Sequence, residues 1–451
     1  MYAVDVPDTL RDLRARIRGF IDEQVIPVEA SLLGLKSLPR LRSLISEAKQ
    51  LGLWGLGHPV EVGGGGLSVV GQVLVNEVIG RSEPGTAVLG FHSLDDVLRI
   101  QRFGSPEQKN RWVQPLAEGE IFAGLAMTEP DVAGSDPGIM RSPAYLDGDT
   151  WVLDGRKWFT TWADRAAFLL VIANTDPTAQ VARRFSAFIV ARETPGLRIE
   201  RMIPVMGDTE SIYGQIALEG VRLPPEAMLG PRGDGLVVAG WHSETSRLLD
   251  AIRWVGRAQR AFELMCQRAN VRWAHGAYLR DEGEVHRYLA ESATAIHAAR
   301  LMALDAAHTI QAGQAARVKT SLVQLNAARA LQDVTDRAIQ VHGAAGVSGD
   351  LPLERMYRHA RLARLHDVPD EVHRMTVAQE ILGNPDAVPW HHRSTPHEKF
   401  TSQLIGPVGH HPGVHRVTGP GQRRHAGIQE VADVSPRSQT IVEVRRDRSG
   451  P

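Results

Sequence analysis

Ala126-Met127-Thr128-Glu129-Pro130-Asp131-Val132-Ala133-Gly134-Ser135-Asp136, followed closely by Gly155-Arg156-Lys157-Trp158-Phe159-Thr160-Thr161, is the part of the chain from which the rest is read. The first segment is rich in turn formers: Pro, Gly and small hydroxyl residues leave backbone N–H groups uncovered. Such a loop can receive an anionic or carbonyl-rich ligand. The second segment places an aromatic plane and hydroxyls on a strand. Together they suit a flat heteroaromatic cofactor with a phosphate tail. The plainer reading is a surface loop followed by an amphipathic strand.

Outward from this stretch the periodicity changes twice. Trp151–Leu153, Trp158–Thr161, Phe168–Ala173, Phe185–Ala191, Leu197–Arg201 and Tyr213–Leu218 are short, β-branched or aromatic runs separated by turn signals such as Asp147-Gly148 and Asp154-Gly155. Before them, Leu10, Leu13, Ile17, Phe20 and Ile21, and then Leu41, Leu44, Ile45 and Ala48, recur at helical spacing. After the hinge Gly230-Pro231-Arg232-Gly233 three long helical faces follow, led by Leu248, Leu289 and Val318, with a last helix near Asp370–Leu382. The expected fold is α+β: an N-terminal all-α domain (1–122), a small central β-barrel or sandwich (123–232), a C-terminal four-helix bundle (233–384) and a disordered tail (385–451). The tail is dominated by Pro, Gly, Arg, His and Ser; its short run Thr440–Val444 could add a strand. Its His391, His392, His410, His411 and His415 lack the Cys or carboxylate spacing of a metal site, so no metal is expected.

Composition narrows the function. The chain has 451 residues and a formal net charge of −1, so no global basic field points to nucleic acid. The single cysteine, Cys266, excludes an intrachain disulfide and fits a reducing compartment. No apolar run is long enough to span a bilayer and the charged N-terminus has no signal-peptide core, so a cytoplasmic protein is expected.

The two quoted segments resemble the flavin-binding signature of the acyl-CoA dehydrogenase family, and matching motifs continue in the same order from about Leu10 to Leu382. The resemblance implies a helix–barrel–bundle fold, FAD as cofactor and an acyl-CoA as substrate. That reaction takes a proton from Cα and a hydride from Cβ of the thioester. It needs a carboxylate at Cα, hydrogen-bond donors on the thioester oxygen and flavin N5 at Cβ. The family's base is a Glu followed by Gly on a loop near the end of the bundle. Here the loop reads Arg364-Leu365-His366-Asp367-Val368-Pro369-Asp370, and the resemblance makes Asp367 the base, as in the family's Asp-base subgroup. That subgroup includes human members ten and eleven. Asp370 is expected to cap the next helix. A second branch of the family carries its base just before an Arg on an early bundle helix. Ser246, before Arg247, occupies that position and cannot serve; Arg247 is expected only to steady the local loop.

By the same resemblance Met127 and Thr128 meet the isoalloxazine pyrimidine edge. Gly134 and Ser135 approach the pyrophosphate, Trp158 packs on the ring and Thr160 lies near N5. Arg272 resembles the arginine that binds FAD pyrophosphate; Gln340, Gly343 and Gly346 form a turn near the adenosine. His275 and Glu282 depart from the family pattern. Because the family's site is completed by a neighbouring subunit, a homodimer or homotetramer is implied, with an electron-transferring flavoprotein as acceptor. The four-Gly loop Gly63–Gly66 could cradle phosphate, and Phe91, His92 and Ser93 are placed near the acyl end. Two other readings remain at this point: a flavin oxidase of the same fold acting on a nitroalkane-like carbon acid, and a catalytically silent partner in a hetero-oligomer.

Overall fold

Apolar residues at helical spacing shape the first third of the chain, as expected. In the computed structural model, which describes residues 7–32, 37–207 and 211–383, helix α1 (Asp8–Phe20) buries Ile17 and Phe20, and α2 (Leu38–Gln50) buries Leu41, Leu44, Ile45 and Ala48. The tail expected to be disordered, with its Thr440–Val444 run and histidines, lies outside the described residues. Helix α3 (Val69–Ile79) is buried along nearly its whole length because it packs between α1 and the later bundle. Short α4 (Gly85–Val88), α5 (Leu94–Phe103) and α6 (Pro106–Ala117) complete the domain. A capping box between Ser105 and Gln108 sets the start of α6, with Pro106 at its first turn.

The described residues of the β region form eight strands: β1 (Phe122–Ala126), β2 (Ala144–Asp147), β3 (Thr150–Thr161), β4 (Ala166–Asn174), β5 (Phe185–Ala191), β6 (Leu197–Met202), β7 (Tyr213–Leu223) and β8 (Met228–Leu229). They form two four-stranded sheets, ordered β1-β4-β5-β8 and β2-β3-β7-β6. The sheets pack face to face over Trp151, Leu153, Leu169, Val171, Phe188, Ile216 and Leu218. Among the described residues no strand ladder joins them, so the expected barrel is not closed. The two expected runs at 151 and 158 are one strand, interrupted by irregular pairing with β7 between Leu153 and Gly155 and between Lys157 and Thr160. Strand β1 was not expected because Phe-Ala-Gly-Leu-Ala has no β-branched residue; its parallel pairing with β4 places it.

Beyond α7 (Gly235–Gly240), the helices α8 (Ser243–Val271), α9 (Gly283–Gln311), α10 (Arg317–His342) and α12 (Asp370–Gly383) supply the bundle, and α11 (Leu353–Ala363) adds a fifth helix against α10. One hydrophobic core runs through the N-terminal helices and the bundle together. The close approach of α3 to α8 requires Gly256: a Cβ there would lie 1.8 Å from the Glu77 carbonyl oxygen.

Candidate flavin loop and base-bearing loop

Strand β1 ends at the buried Ala126, and the chain leaves it as the open loop 127–136, whose residues 133–136 are exposed. Two buried groups hold this loop to β3. The side chain of Lys157 is 0% exposed; its Nζ donates to Glu129 Oε1 at 2.9 Å and to the Met127 carbonyl at 3.0 Å. Glu129 in turn accepts the Arg141 and Ser142 backbone N–H groups at 2.7 and 2.8 Å. One ion pair therefore clamps both ends of the 127–142 segment. Burial pushes the Glu129 carboxyl up, but the Lys157 charge and these hydrogen bonds outweigh it and hold the group below its ordinary value. Neither residue was singled out from the sequence.

The next residues of β3 are shifted by a bulge. Phe159 takes a left-handed φ of 52° and is exposed, whereas Thr160 is fully buried. The Trp158 amide donates to the Thr128 carbonyl at 2.9 Å, joining the two quoted segments directly. Trp158 Nε1 and Thr160 Oγ1 are buried and without a hydrogen-bond partner. Gly134 lies against Thr128: a Cβ there would stand 3.0 Å from Thr128 Cγ2, so the threonine side chain would have to give by a few tenths of an ångström. Met127, Thr128, Gly134, Trp158 and Thr160 are thus brought together, with Ser135 exposed on the same loop. Unpaired donors at a strand, beside an open loop, fit a ligand that accepts hydrogen bonds.

Asp367 occupies the turn between α11 and α12 in a left-handed conformation, φ 58°. Its side chain is 47% exposed, and Oδ2 accepts from Arg247 Nε at 2.5 Å. Arg247 therefore touches the predicted base itself, a larger role than loop support. The turn is tied back to α8 a second time: His366 Nε2 lies 3.6 Å from Asp250, and its ring meets Trp254 edge-on. Burial draws the His366 imidazole down, but the hydrogen bond and charge of Asp250, with the charge of Asp367, raise it on balance. Asp370 is the first residue of α12, but among the described residues its carboxylate takes no helix N–H and so does not cap the helix in the expected way. Its carboxylate is taken by Arg364 at 2.8 Å and Arg374 at 3.2 Å, so it acts through charge pairs at the helix start. Ser246 donates to Asp95 Oδ2 at 2.5 Å. Glu244 accepts the Ala316 amide at 3.0 Å and so caps the start of α10.

The remaining predicted residues sit on the bundle. Arg272 ends α8 and begins a two-strand hairpin, Trp273–Ala274 with Ala277–Tyr278. Gln340 lies in the last turn of α10. Gly343 takes φ 63° and ψ −138°, a conformation suited to glycine, and Gly346 follows in the next turn. No hydrogen bond among the described residues joins this set to the loop after β1. Around it the chain exposes Val271, Trp273 (57% exposed) and Val347. The four-Gly loop is internally bonded: the amides of Gly63, Gly64, Gly65 and Gly66 donate to Val60, Pro59, Gly55 and His58 carbonyls, which leaves none aimed at a phosphate. His92 packs against Phe122 at 4.7 Å and faces Trp54 and Trp162, while Ser93 lies 3.2 Å from His58. Burial takes the His58 and His92 imidazoles down to about 4 and about 3. Among the described residues no helix is long and apolar enough to cross a membrane, and no group of three or more His, Cys, Asp or Glu residues could hold a metal ion.

Comparison with known proteins converges on one family. Three models match in order: the acyl-CoA dehydrogenase N-terminal domain over residues 7–120, the middle domain over 124–221 and the C-terminal domain over 233–382. The probable acyl-CoA dehydrogenase FadE2 of Mycobacterium tuberculosis is 34% identical, over 82% of this chain and 95% of its own length. Human acyl-CoA dehydrogenase family member 11 is 35% identical over 73% of this chain, but the match spans only 43% of that longer protein. A solved Mycobacterium abscessus acyl-CoA dehydrogenase candidate superposes with a TM-score of 0.79 at 35% identity, covering 85% of this chain and 99% of that one.

Proposed function

The chain belongs to the acyl-CoA dehydrogenase family, and on that premise we propose that Asp367 is the base that opens its reaction. It is an FAD-dependent oxidoreductase acting on an acyl-CoA. FAD, when bound, supplies the acceptor for the hydride leaving Cβ. The observation that supports Asp367 is its placement: a carboxylate on the loop that bears the family's base, with one oxygen tied to Arg247 and Oδ1 unpaired among the described residues. The paired oxygen fixes the side chain; the other can take the α-proton. Asp is one methylene shorter than Glu, so the turn must present it about 1.5 Å closer to Cα. The left-handed backbone at Asp367, a conformation Asp tolerates, and the second tie through His366 to Asp250 fix where the turn presents the carboxylate.

Met127, Thr128, Gly134, Ser135, Trp158 and Thr160 would hold the flavin and its phosphates. Thr160→Val tests this without touching the base. It removes a buried hydroxyl that has no partner within the chain, so the FAD-free protein is expected to unfold at the same or a higher temperature. FAD affinity, read by quenching of flavin fluorescence, should weaken about two- to tenfold, the worth of one ordinary hydrogen bond. Unchanged affinity would remove Thr160 from the site.

Arg272, Gln340, Gly343 and Gly346 would complete the FAD site of a second copy. The apolar surface at Val271, Trp273 and Val347 beside them supports a homodimer or homotetramer. An electron-transferring flavoprotein would be the acceptor. The deciding experiment is anaerobic mixing of the FAD-loaded protein with a panel of acyl-CoAs while the flavin's visible band is followed.

A further inference from the structure

Among the described residues, the charge pairs that flank the base-bearing turn differ in chemistry. Asp367 itself is bound by Arg247, and Asp370, just beyond, by Arg364 and Arg374. Arginine keeps its charge throughout the range in which the protein works. The tie upstream of the turn instead uses His366, a side chain that gains or loses charge near neutrality. Its Nε2 lies 3.6 Å from Asp250 Oδ2, while Asp250 Oδ1 accepts from Arg253 at 2.7 Å.

At 3.6 Å the contact is too long for an ordinary hydrogen bond. Charge is what holds it, so it lasts only while the ring is an imidazolium. The ring meets Trp254 edge-on, 6.5 Å between centroids, and its side chain is 37% exposed, so protons reach it from bulk water. The charged groups around it are Asp250 and Arg253 on α8 and Asp367 in the turn, with Asp95 acting through Asp250. Burial draws the imidazole down and Arg253 adds to that, but Asp250 and Asp367 outweigh both and raise it above its ordinary value. The pair is therefore complete below the ordinary histidine value and is lost as the pH rises through the raised one.

The turn needs such a pin. The Val368 amide donates to the His366 carbonyl at 2.6 Å, which closes a three-residue γ-turn with Asp367 at its centre. The φ of 58° there belongs to the rarer, strained hand of that turn. Asp tolerates positive φ, but a strained turn persists only where its surroundings hold it. The His366 carbonyl closes the turn, so a shift of its ring away from α8 moves the backbone that aims the Asp367 carboxylate. A displacement of about 1 Å at a reacting group costs about 100-fold in rate.

We propose that the His366–Asp250 ion pair is a positioning element of the reaction: it holds the γ-turn in the conformation that presents Asp367 to the α-carbon, and it does so only while His366 is protonated. His366 acts through Asp367 and touches neither the thioester nor the flavin in this role. The inference rests on the reading of Asp367 as the base.

The test uses the full-length FAD-loaded protein and the acyl-CoA that bleaches wild type fastest in the panel described above. The rate constant of flavin reduction at saturating thioester is recorded anaerobically from about pH 6 to about pH 9, across the histidine range. FAD content and unfolding midpoint are the controls. Wild type should slow by about 10- to 100-fold as the pH rises through the histidine step. His366→Gln should show the slow rate already at the acid end, with the step gone. His366→Arg keeps a permanent charge against Asp250 and should stay fast beyond the wild-type step. Asp250→Asn should reproduce His366→Gln, and the double variant should be no slower than either single, because one contact is lost in all three. An alkaline step that survives in His366→Gln overturns the proposal. So does equal slowing of His366→Gln and His366→Arg at every pH, which marks a structural role indifferent to charge. Asp367→Asn separates the two failures. Wild-type rates in that variant overturn the base assignment itself, whereas a slow Asp367→Asn beside an unperturbed His366→Gln overturns the pin alone.

Discussion

Asp367→Asn is expected to slow thioester-dependent flavin bleaching by about 10²- to 10⁴-fold while FAD stays bound, the range that loss of a general base commands. The amide keeps the shape of the carboxylate and cannot accept the α-proton. The site tolerates the change because Asp367 lies on an exposed turn rather than in the core, so folding does not depend on it. FAD content and the flavin spectrum of the variant should match wild type. Asp367→Glu asks a finer question. It restores the carboxylate but lengthens it, on a turn whose left-handed backbone suits the shorter side chain; partial activity between Asn and wild type is expected. Wild-type rates in Asp367→Asn would mean that another group takes the proton.

The second large effect is expected at the buried pair beneath the flavin loop. Lys157→Met leaves Glu129 ionised, buried and without its counter-charge, and Glu129→Gln leaves Lys157 in the same condition. Breaking such a pair by removing one partner costs about 3–5 kcal/mol. Each single variant should therefore unfold at a clearly lower temperature and lose FAD, because the Met127 carbonyl and the Arg141–Ser142 backbone lose their anchor. The double variant Glu129→Gln/Lys157→Met has no stranded charge and should recover part of the loss in thermal unfolding. If the double variant is as unstable as the sum of the singles, the pair is not coupled in the way described. The pH dependence has a definite sign. The Glu129 carboxyl is depressed in the folded protein, so its contribution is present above the ordinary carboxyl range and is lost as the pH falls through the folded value. FAD should accordingly be released on acidification, with the Glu129→Gln variant lacking that component.

Much of this architecture was legible from residue patterns because the patterns are local. The buried face of α2 consists of the four residues whose spacing announced it, and β5 has the bounds its apolar run suggested. The parts that were missed depend on distant partners. Strand β1 is made of small residues and exists because β4 lies beside it. Closure of a barrel depends on how two sheets meet, which strand-by-strand patterns do not encode. Lys157 could have been found: counting by twos from the buried Trp151 and Leu153 places it inward, and an inward lysine calls for a carboxylate such as Glu129. The tie of His366 to Asp250 could not have been found this way, since nothing in the local pattern of either segment points to the other. Arg247 was underestimated for a similar reason: 120 residues separate it from Asp367, and only the fold brings them together.

The most direct test of the central claim is a pair of anaerobic mixing traces, one for wild type and one for Asp367→Asn, recorded with the same acyl-CoA and matched FAD occupancy. Wild type should lose the visible flavin band rapidly and form the 2-enoyl thioester, while the variant's band stays nearly unchanged. Equal bleaching in both traces would contradict it.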